Sequence, residues 1–346
     1  MIHSRRLVVG TCAAVMLGAG LLPAMRAEAA PQTLGAVAAA SEEPTAVAAG
    51  DAAAAATVDL TVDGVTGDIC IQSAITGLSG PITMAHIHTG GPGVNGPVFV
   101  TLPFTATGVS GCATATPAQA QSILAAPNGF YFNAHTAASP AGAIRGQLST
   151  TLFNASLTGA AEVPGPGDPD GAGSAVVAID ATANRACVLT TVSAIDLPAT
   201  MAHIHSGAVG VAGPVVVPLT APATATSASC GTATAAIISA IVASPVGHYV
   251  NVHTAAFTGG AIRGPLSLRT ASGIPTPSTS GSTIAPTSSP TTGVTTTSIA
   301  PSMTTTTMVA GVSTTKPTTA TSAPTTAPAP TPDPATPVVE NPTFTG

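Results

Sequence analysis

One pentapeptide, Met-Ala-His-Ile-His, occurs twice in this chain, at Met84–His88 and at Met201–His205, and each copy leads a matching train of landmarks. After the first come Gly96-Pro97-Val98, Cys112, Asn133-Ala134-His135-Thr136 and Ala143-Ile144-Arg145-Gly146. After the second come Gly213-Pro214-Val215, Cys230, Asn251-Val252-His253-Thr254 and Ala261-Ile262-Arg263-Gly264. Self-similarity at a nearly constant offset marks a tandem duplication, so whatever the unit does it is equipped to do twice.

Within the units, short runs rich in Val, Ile and Thr are separated by Gly, Pro and Asp-Gly signals, the pattern of short strands. In the second unit these runs are Ser174–Ile179, Cys187–Val192, Met201–His205, Pro214–Leu219, His248–His253 and Ala261–Leu268. Pro117–Ala126 and its counterpart Ala233–Ala243 break the pattern: they are Ala-rich with helical apolar spacing, which predicts one short helix per unit. Each unit of ~115 residues is then an antiparallel, immunoglobulin-like sandwich.

The two ends read differently. Arg5 and Arg6 precede an apolar stretch from Leu7 to Leu22 and small residues around Ala27–Ala30, which predicts a signal peptide over 1–30 and an exported protein. Ser4-Arg5-Arg6-Leu7-Val8-Val9 is also a loose twin-arginine pattern. From 270 to 346 the chain is Thr, Pro, Ser and Ala with few large apolar side chains, the composition of a disordered stalk. The expected division is therefore signal peptide 1–30, first sandwich 31–150, second sandwich 151–269 and tail 270–346. No membrane span is expected once the signal is removed.

Charge excludes one class of partner. Eight Lys and Arg against fourteen Asp and Glu give a formal net charge of -6, leaving no basic surface to neutralise phosphates, so nucleic acid is not expected. Four cysteines remain outside the leader, two per unit: Cys70 with Cys112, and Cys187 with Cys230, at nearly equal spacing. Four allow three connectivities. A unit that folded before it was doubled carries its own bridge, each worth roughly 3–4 kcal/mol by loop closure. The other reading is four buried thiols.

The string His-Ile-His-x-Gly, then Gly-Pro-Val, an apolar helix, an aromatic-x-Asn-x-His-Thr segment and Ile-Arg-Gly resembles the CHRD domain, the chordin-type repeat of bacterial secreted proteins and animal chordins. The family's usual opening is matched at Leu157-Thr158-Gly159 and Glu162-Val163-Pro164, and in degraded form at Leu34-Gly35 and Glu42-Glu43-Pro44. The acidic residue that often precedes Ile-Arg-Gly is replaced by Ala143 and Ala261. The resemblance implies a β-sandwich faintly similar to Cu/Zn superoxide dismutase. It implies no settled biochemical activity.

Histidine is where chemistry can reside. Residues i and i+2 of a strand share a face, so His86 with His88, and His203 with His205, present imidazoles about 6–7 Å apart. With His135 and His253 on a neighbouring strand, each unit offers three nitrogens, the donor set of many zinc and copper sites. Against this, the motif sits beside Gly and Pro and not beside acids that orient metal ligands. Equally, the rings can be structural, bonding carbonyls and Asn133 or Asn251 and pinning register. Arg145 and Arg263 stand out in a chain that is 6% charged. Glu162 is the expected partner of Arg263, and Glu42 or Glu43 that of Arg145.

Other patterns carry less. Gly90-Gly91-Pro92-Gly93 lacks the lysine of a phosphate loop, Asp168-Pro169-Asp170-Gly171 reads as a turn, and there is no Gly-x-Ser-x-Gly. The reading is a secreted or cell-surface, non-catalytic binding or structural module whose partner is an unidentified extracellular protein or surface component. The alternative is an extracellular copper- or zinc-binding protein or oxidoreductase built on the two histidine triplets.

Overall fold

The structure, a computed structural model, describes residues 30–270 and 273–277. The expected signal peptide, Ala30 apart, and nearly all of the expected stalk lie outside these residues. The first repeat comprises β1 (Gln32–Ala39), β2 (Ala55–Val62), β3 (Asp68–Thr76), β4 (Ile82–Thr89), β5 (Val98–Thr101), β6 (Ser110–Thr114), α1 (Pro117–Ala125), β7 (Phe130–Thr136) and β8 (Ile144–Gln147). The second comprises β9 (Leu152–Thr158), β10 (Ala172–Asp180), β11 (Arg185–Ser193), β12 (Met201–Ser206), β13 (Val215–Leu219), β14 (Thr226–Thr232), α2 (Ala235–Ala243), β15 (His248–His253), β16 (Ile262–Pro265) and β17 (Ser267–Leu268).

Each repeat is one antiparallel sheet, in the order β5-β4-β7-β8-β1-β2-β3-β6 and its counterpart β13-β12-β15-β16-β9-β10-β11-β14. The sheet curls into an all-β sandwich, and the end strands β13 and β14 come back against each other. The expected Ala261–Leu268 strand is split: β16 ends at Pro265, Leu266 turns into the core, and β17 pairs instead with β9. A proline has no N–H to continue the ladder, which accounts for the break.

Alternation builds the two cores. Along β4, Ala85 and Ile87 are fully buried in the first core with Phe132 and Ala134 of β7 and Ile144 of β8. The helices plug the sandwiches, α1 through Ala120 and Ile123 and α2 through Ile238 and Ile241. Thr116 and Gln119 form a reciprocal capping box with Pro117 in the first turn, and Thr234 caps the N–H of Ile237. These caps are what start a helix in an otherwise β sequence.

Both disulfides form within a repeat, Cys70–Cys112 and Cys187–Cys230, between directly opposed residues of β3/β6 and of β11/β14. Each therefore ties an end strand of the sheet to its inner neighbour. The repeats themselves share a seam of Val37, Ala55, Leu152, Ala178 and Leu189. Two ion pairs cross it: Arg185 Nη2–Glu42 Oε2 at 2.5 Å and Arg269 Nη2–Asp59 Oδ2 at 2.6 Å.

Candidate metal centre

The residues that alternate away from the core of β4 and β7 face the same side. Register pairs Met84 with His135, His86 with Asn133, and His88 with Tyr131. The second repeat pairs Met201 with His253, His203 with Asn251, and His205 with Tyr249. On β4 and β12 this face stays exposed only at Met84 and Met201 among the residues paired above, while on β7 and β15 it is shielded from solvent, every residue there being buried. The reason is a roof made by the chain after β4 and the chain after β7, which lay backbone carbonyls over the imidazoles.

Those carbonyls decide which ring nitrogen is free. His88 Nδ1 bonds the Gly96 carbonyl at 2.9 Å and His135 Nδ1 the Pro140 carbonyl at 3.1 Å. In the second repeat His205 Nδ1 bonds Gly213 O at 2.9 Å and His253 Nδ1 bonds Thr258 O at 3.0 Å. A carbonyl accepts only, so each Nδ1 carries the proton and each Nε2 presents a lone pair. Inward, His86 Nδ1 lies 3.2 Å from His135 Nε2. His88 Nε2, His203 Nδ1, His205 Nε2 and His253 Nε2 are buried with no hydrogen-bond partner.

In each repeat one nitrogen from each of the three rings lies within 4.8 Å of the others. Six expected ligand residues are thus gathered into two triads, and a buried, unpaired acceptor of this kind calls for an explanation such as an ion. The acids missing from the sequence are replaced by main-chain carbonyls, which orient a ligating imidazole equally well. Burial, reinforced by the neighbouring imidazoles, pushes His86 down to about 4. Burial likewise lowers His135, His203 and His205. Such rings are neutral at neutral pH, the form a metal requires. A third grouping, Glu42 with Cys187 and Cys230, offers no thiolate because those sulfurs are in a disulfide.

A stack supports each triad. Tyr131 lies parallel to His88 with centroids 5.0 Å apart, and the Arg145 guanidinium carbon is 3.4 Å from the Tyr131 centroid. Tyr249 stacks likewise on His205 at 4.8 Å, with Arg263 at 4.5 Å. The tyrosine hydroxyl accepts the N–H of Gly96 or Gly213, the residue whose carbonyl holds the histidine. A Cβ at Gly96 would stand 1.7 Å from Thr89 O, and at Gly213 1.5 Å from Ser206 O, so only glycine lets the roof approach this closely.

The expected arginine pairs take another form. Arg145 donates to the carbonyls of Gly91 and Val94 and to Gln147, and Arg263 to those of Ala161 and Val211. Among the described residues neither forms an ion pair with Glu42, Glu43 or Glu162; Glu42 is taken across the seam by Arg185. Glu43 and Glu162 instead accept from Asn133 and Asn251, at 2.5 and 2.6 Å. Burial, only partly offset by the asparagine and the arginine charge, raises both carboxyls to about 7.

This geometry also relocates the first repeat's opening. Arg145 pairs with Ala39 as Arg263 pairs with Thr158, so Ala38-Ala39-Ala40, not Leu34-Gly35, occupies the place of Leu157-Thr158-Gly159. The tyrosine stacks and the Glu–Asn pairs escaped the sequence reading, which foresaw carbonyl partners for the rings but not which carbonyls. One signal was available: the chain has only two tyrosines, and they hold the same place in each unit.

The family model for the CHRD domain matches residues 36–148 and again 153–266. The chain belongs to the CHRD domain family. The two matches cover both sandwiches, so each CHRD repeat carries one complete histidine triad with its roof. No curated protein matches the chain.

Proposed function

We propose that the chain is an exported, non-catalytic metal-binding module in which each CHRD repeat holds one copper or zinc ion. The ligands are His86 Nδ1, His88 Nε2 and His135 Nε2 in the first repeat, and His203 Nδ1, His205 Nε2 and His253 Nε2 in the second. The observation that carries the reading is the convergence of three nitrogens in both repeats, with the outer nitrogens of two rings tied to carbonyls. Ligands on an ion with bonds of about 2.0–2.1 Å lie ~3–4 Å apart, so the triads need only a small contraction to close on one.

Export is supported by the Arg5-Arg6 leader pattern and by one disulfide in each repeat, bonds that persist in oxidising compartments. No helix of the described residues is long and apolar enough to cross a membrane. The Thr/Pro/Ser-rich tail then serves as a spacer from a surface, where an extracellular partner would be met.

The test is metal stoichiometry on the full chain, loaded separately with Zn(II) and Cu(II), dialysed and analysed by elemental mass spectrometry. Two ions per chain are expected, one for His86→Ala or His203→Ala alone, and none for the pair. A parent chain that retains no metal, or variants that retain as much as the parent, would refute the proposal.

A further inference from the structure

Beside each triad the same residue stands in both repeats. Met84 and Met201 precede the first ligand histidine by two residues, so they project from the ligand face of their strands. Each is directly opposite the third ligand, Met84 against His135 and Met201 against His253. Directly opposed residues of an antiparallel pair have Cβ atoms about 4.5–5.5 Å apart. His86 is thereby flanked along its strand by His88 on one side and Met84 on the other, as His203 is by His205 and Met201.

Neither methionine is spent on packing. Met84 is 41% exposed and Met201 43%, and neither belongs to a core cluster. The chain has seven methionines, and these two alone fall among the described residues. A side chain absent from both cores, yet placed twice at one exposed position beside three inward-facing nitrogens, has a task other than burial. The thioether is a soft donor on three rotatable bonds, free to swing over the triad. Soft sulfur favours Cu(I), whereas nitrogen and oxygen donors serve zinc equally well.

Resting on the proposed triads, we infer that Met84 and Met201 supply a fourth, thioether ligand and that the two sites are built for copper, Cu(I) above all. The Met-x-His-x-His strand then delivers three ligands from one edge of the site, and the histidine of the neighbouring strand closes it. No electron transfer is needed for this: the ion is bound as Cu(I) and the sulfur keeps its oxidation state.

The experiment compares the full chain with the Met84→Leu/Met201→Leu double variant, which changes an exposed side chain for one of similar volume. Cu(I) affinity is read by competition with bathocuproine disulfonate under anaerobic reduction, and Zn(II) affinity by competition with a chromophoric chelator. X-ray absorption at the copper edge reports the sulfur directly. The expected result is a loss of Cu(I) affinity of about tenfold or more per site, with Zn(II) affinity unchanged. The copper–sulfur shell of the parent should vanish in the variant.

Unchanged Cu(I) affinity, a parent spectrum without sulfur, or equal losses for Cu(I) and Zn(II) would each overturn the inference. If the parent binds Zn(II) and Cu(I) on nitrogen alone, the methionine ligand falls and the triads stand. If the parent binds neither ion, both fall together.

Discussion

Glu162 gives a pH dependence with a definite sign. The residue is 6% exposed, and its carboxylate accepts from Asn251 Nδ2 at 2.6 Å and feels Arg263 only through space. Burial outweighs both, raising it from 4.5 to about 7. A carboxyl raised by folding binds its proton more tightly in the native state than in the unfolded chain. The stability it contributes is therefore present in full below pH 4.5 and lost as pH rises through about 7. Ionising it in the folded state costs about 3 kcal/mol by pH 8, with roughly half of that already lost near pH 5.5.

Glu162→Gln removes the charge and keeps a carbonyl oxygen toward Asn251. The amide brings one more N–H than the protonated acid, and leaving it unpaired costs about 1 kcal/mol. The variant should be about 1 kcal/mol less stable than the parent at pH 4 and about 2 kcal/mol more stable at pH 8. Urea denaturation with a chelator present, at several values of pH, measures this difference. The lowered histidines act in the opposite sense, adding stability as pH rises toward 6.5. Because they are common to both chains they cancel in the subtraction. A difference that does not change with pH, or that favours the variant more in acid, would refute the burial argument.

Three further outcomes follow from the geometry. Gly213→Ala puts a Cβ 1.5 Å from Ser206 O, so the roof must lift; a loss of about 2–4 kcal/mol is expected by thermal melting, with metal retained only in the first repeat. Asp51 is buried and bonded by Ser79, Thr136 and Ser139, and these bonds outweigh its desolvation to hold it at about 2. Its contribution is present above pH 3.8 and lost as pH falls through about 2, so Asp51→Asn should flatten the acid limb of a stability profile and lower the plateau. Replacing Cys70 and Cys112 with alanine opens a loop of 42 residues and should cost about 4 kcal/mol in urea unfolding.

Much of the fold was legible because duplication gave every signal twice. β10, β11, β12, β13 and β15 fall within two residues of the runs expected from β-branched content, and α1 and α2 where helical spacing interrupts it. What stayed hidden belongs to the outer face. The β7 sequence Phe-Tyr-Phe-Asn-Ala-His-Thr is buried on both sides, so alternation cannot say which side is the core. Two of the three rings in each triad are held by main-chain carbonyls, and nothing in a sequence says which residues supply them. Arg145 was misassigned for a related reason. Scarce charge suggested an acid partner, whereas its donors are spent on the carbonyls of Gly91 and Val94 in the roof.

The two sequence readings of the histidines, ligand or register pin, make opposite predictions for His203. Among the described residues its Nδ1 is buried and unpaired, while its neighbour His205 holds a carbonyl. A pin would lose stability on replacement whether or not metal is present. A ligand behaves otherwise: without metal an unpaired buried nitrogen is itself a cost, of about 1–3 kcal/mol. Metal-free His203→Leu should therefore match or exceed the metal-free parent. With ion at a hundred times its dissociation constant the parent gains about 2.7 kcal/mol per site, and the variant forgoes that gain at one site. Melting both proteins with chelator and with Zn(II) resolves the matter. Equal destabilisation under the two conditions would make His203 a structural residue, and a deficit seen only with metal would make it a ligand.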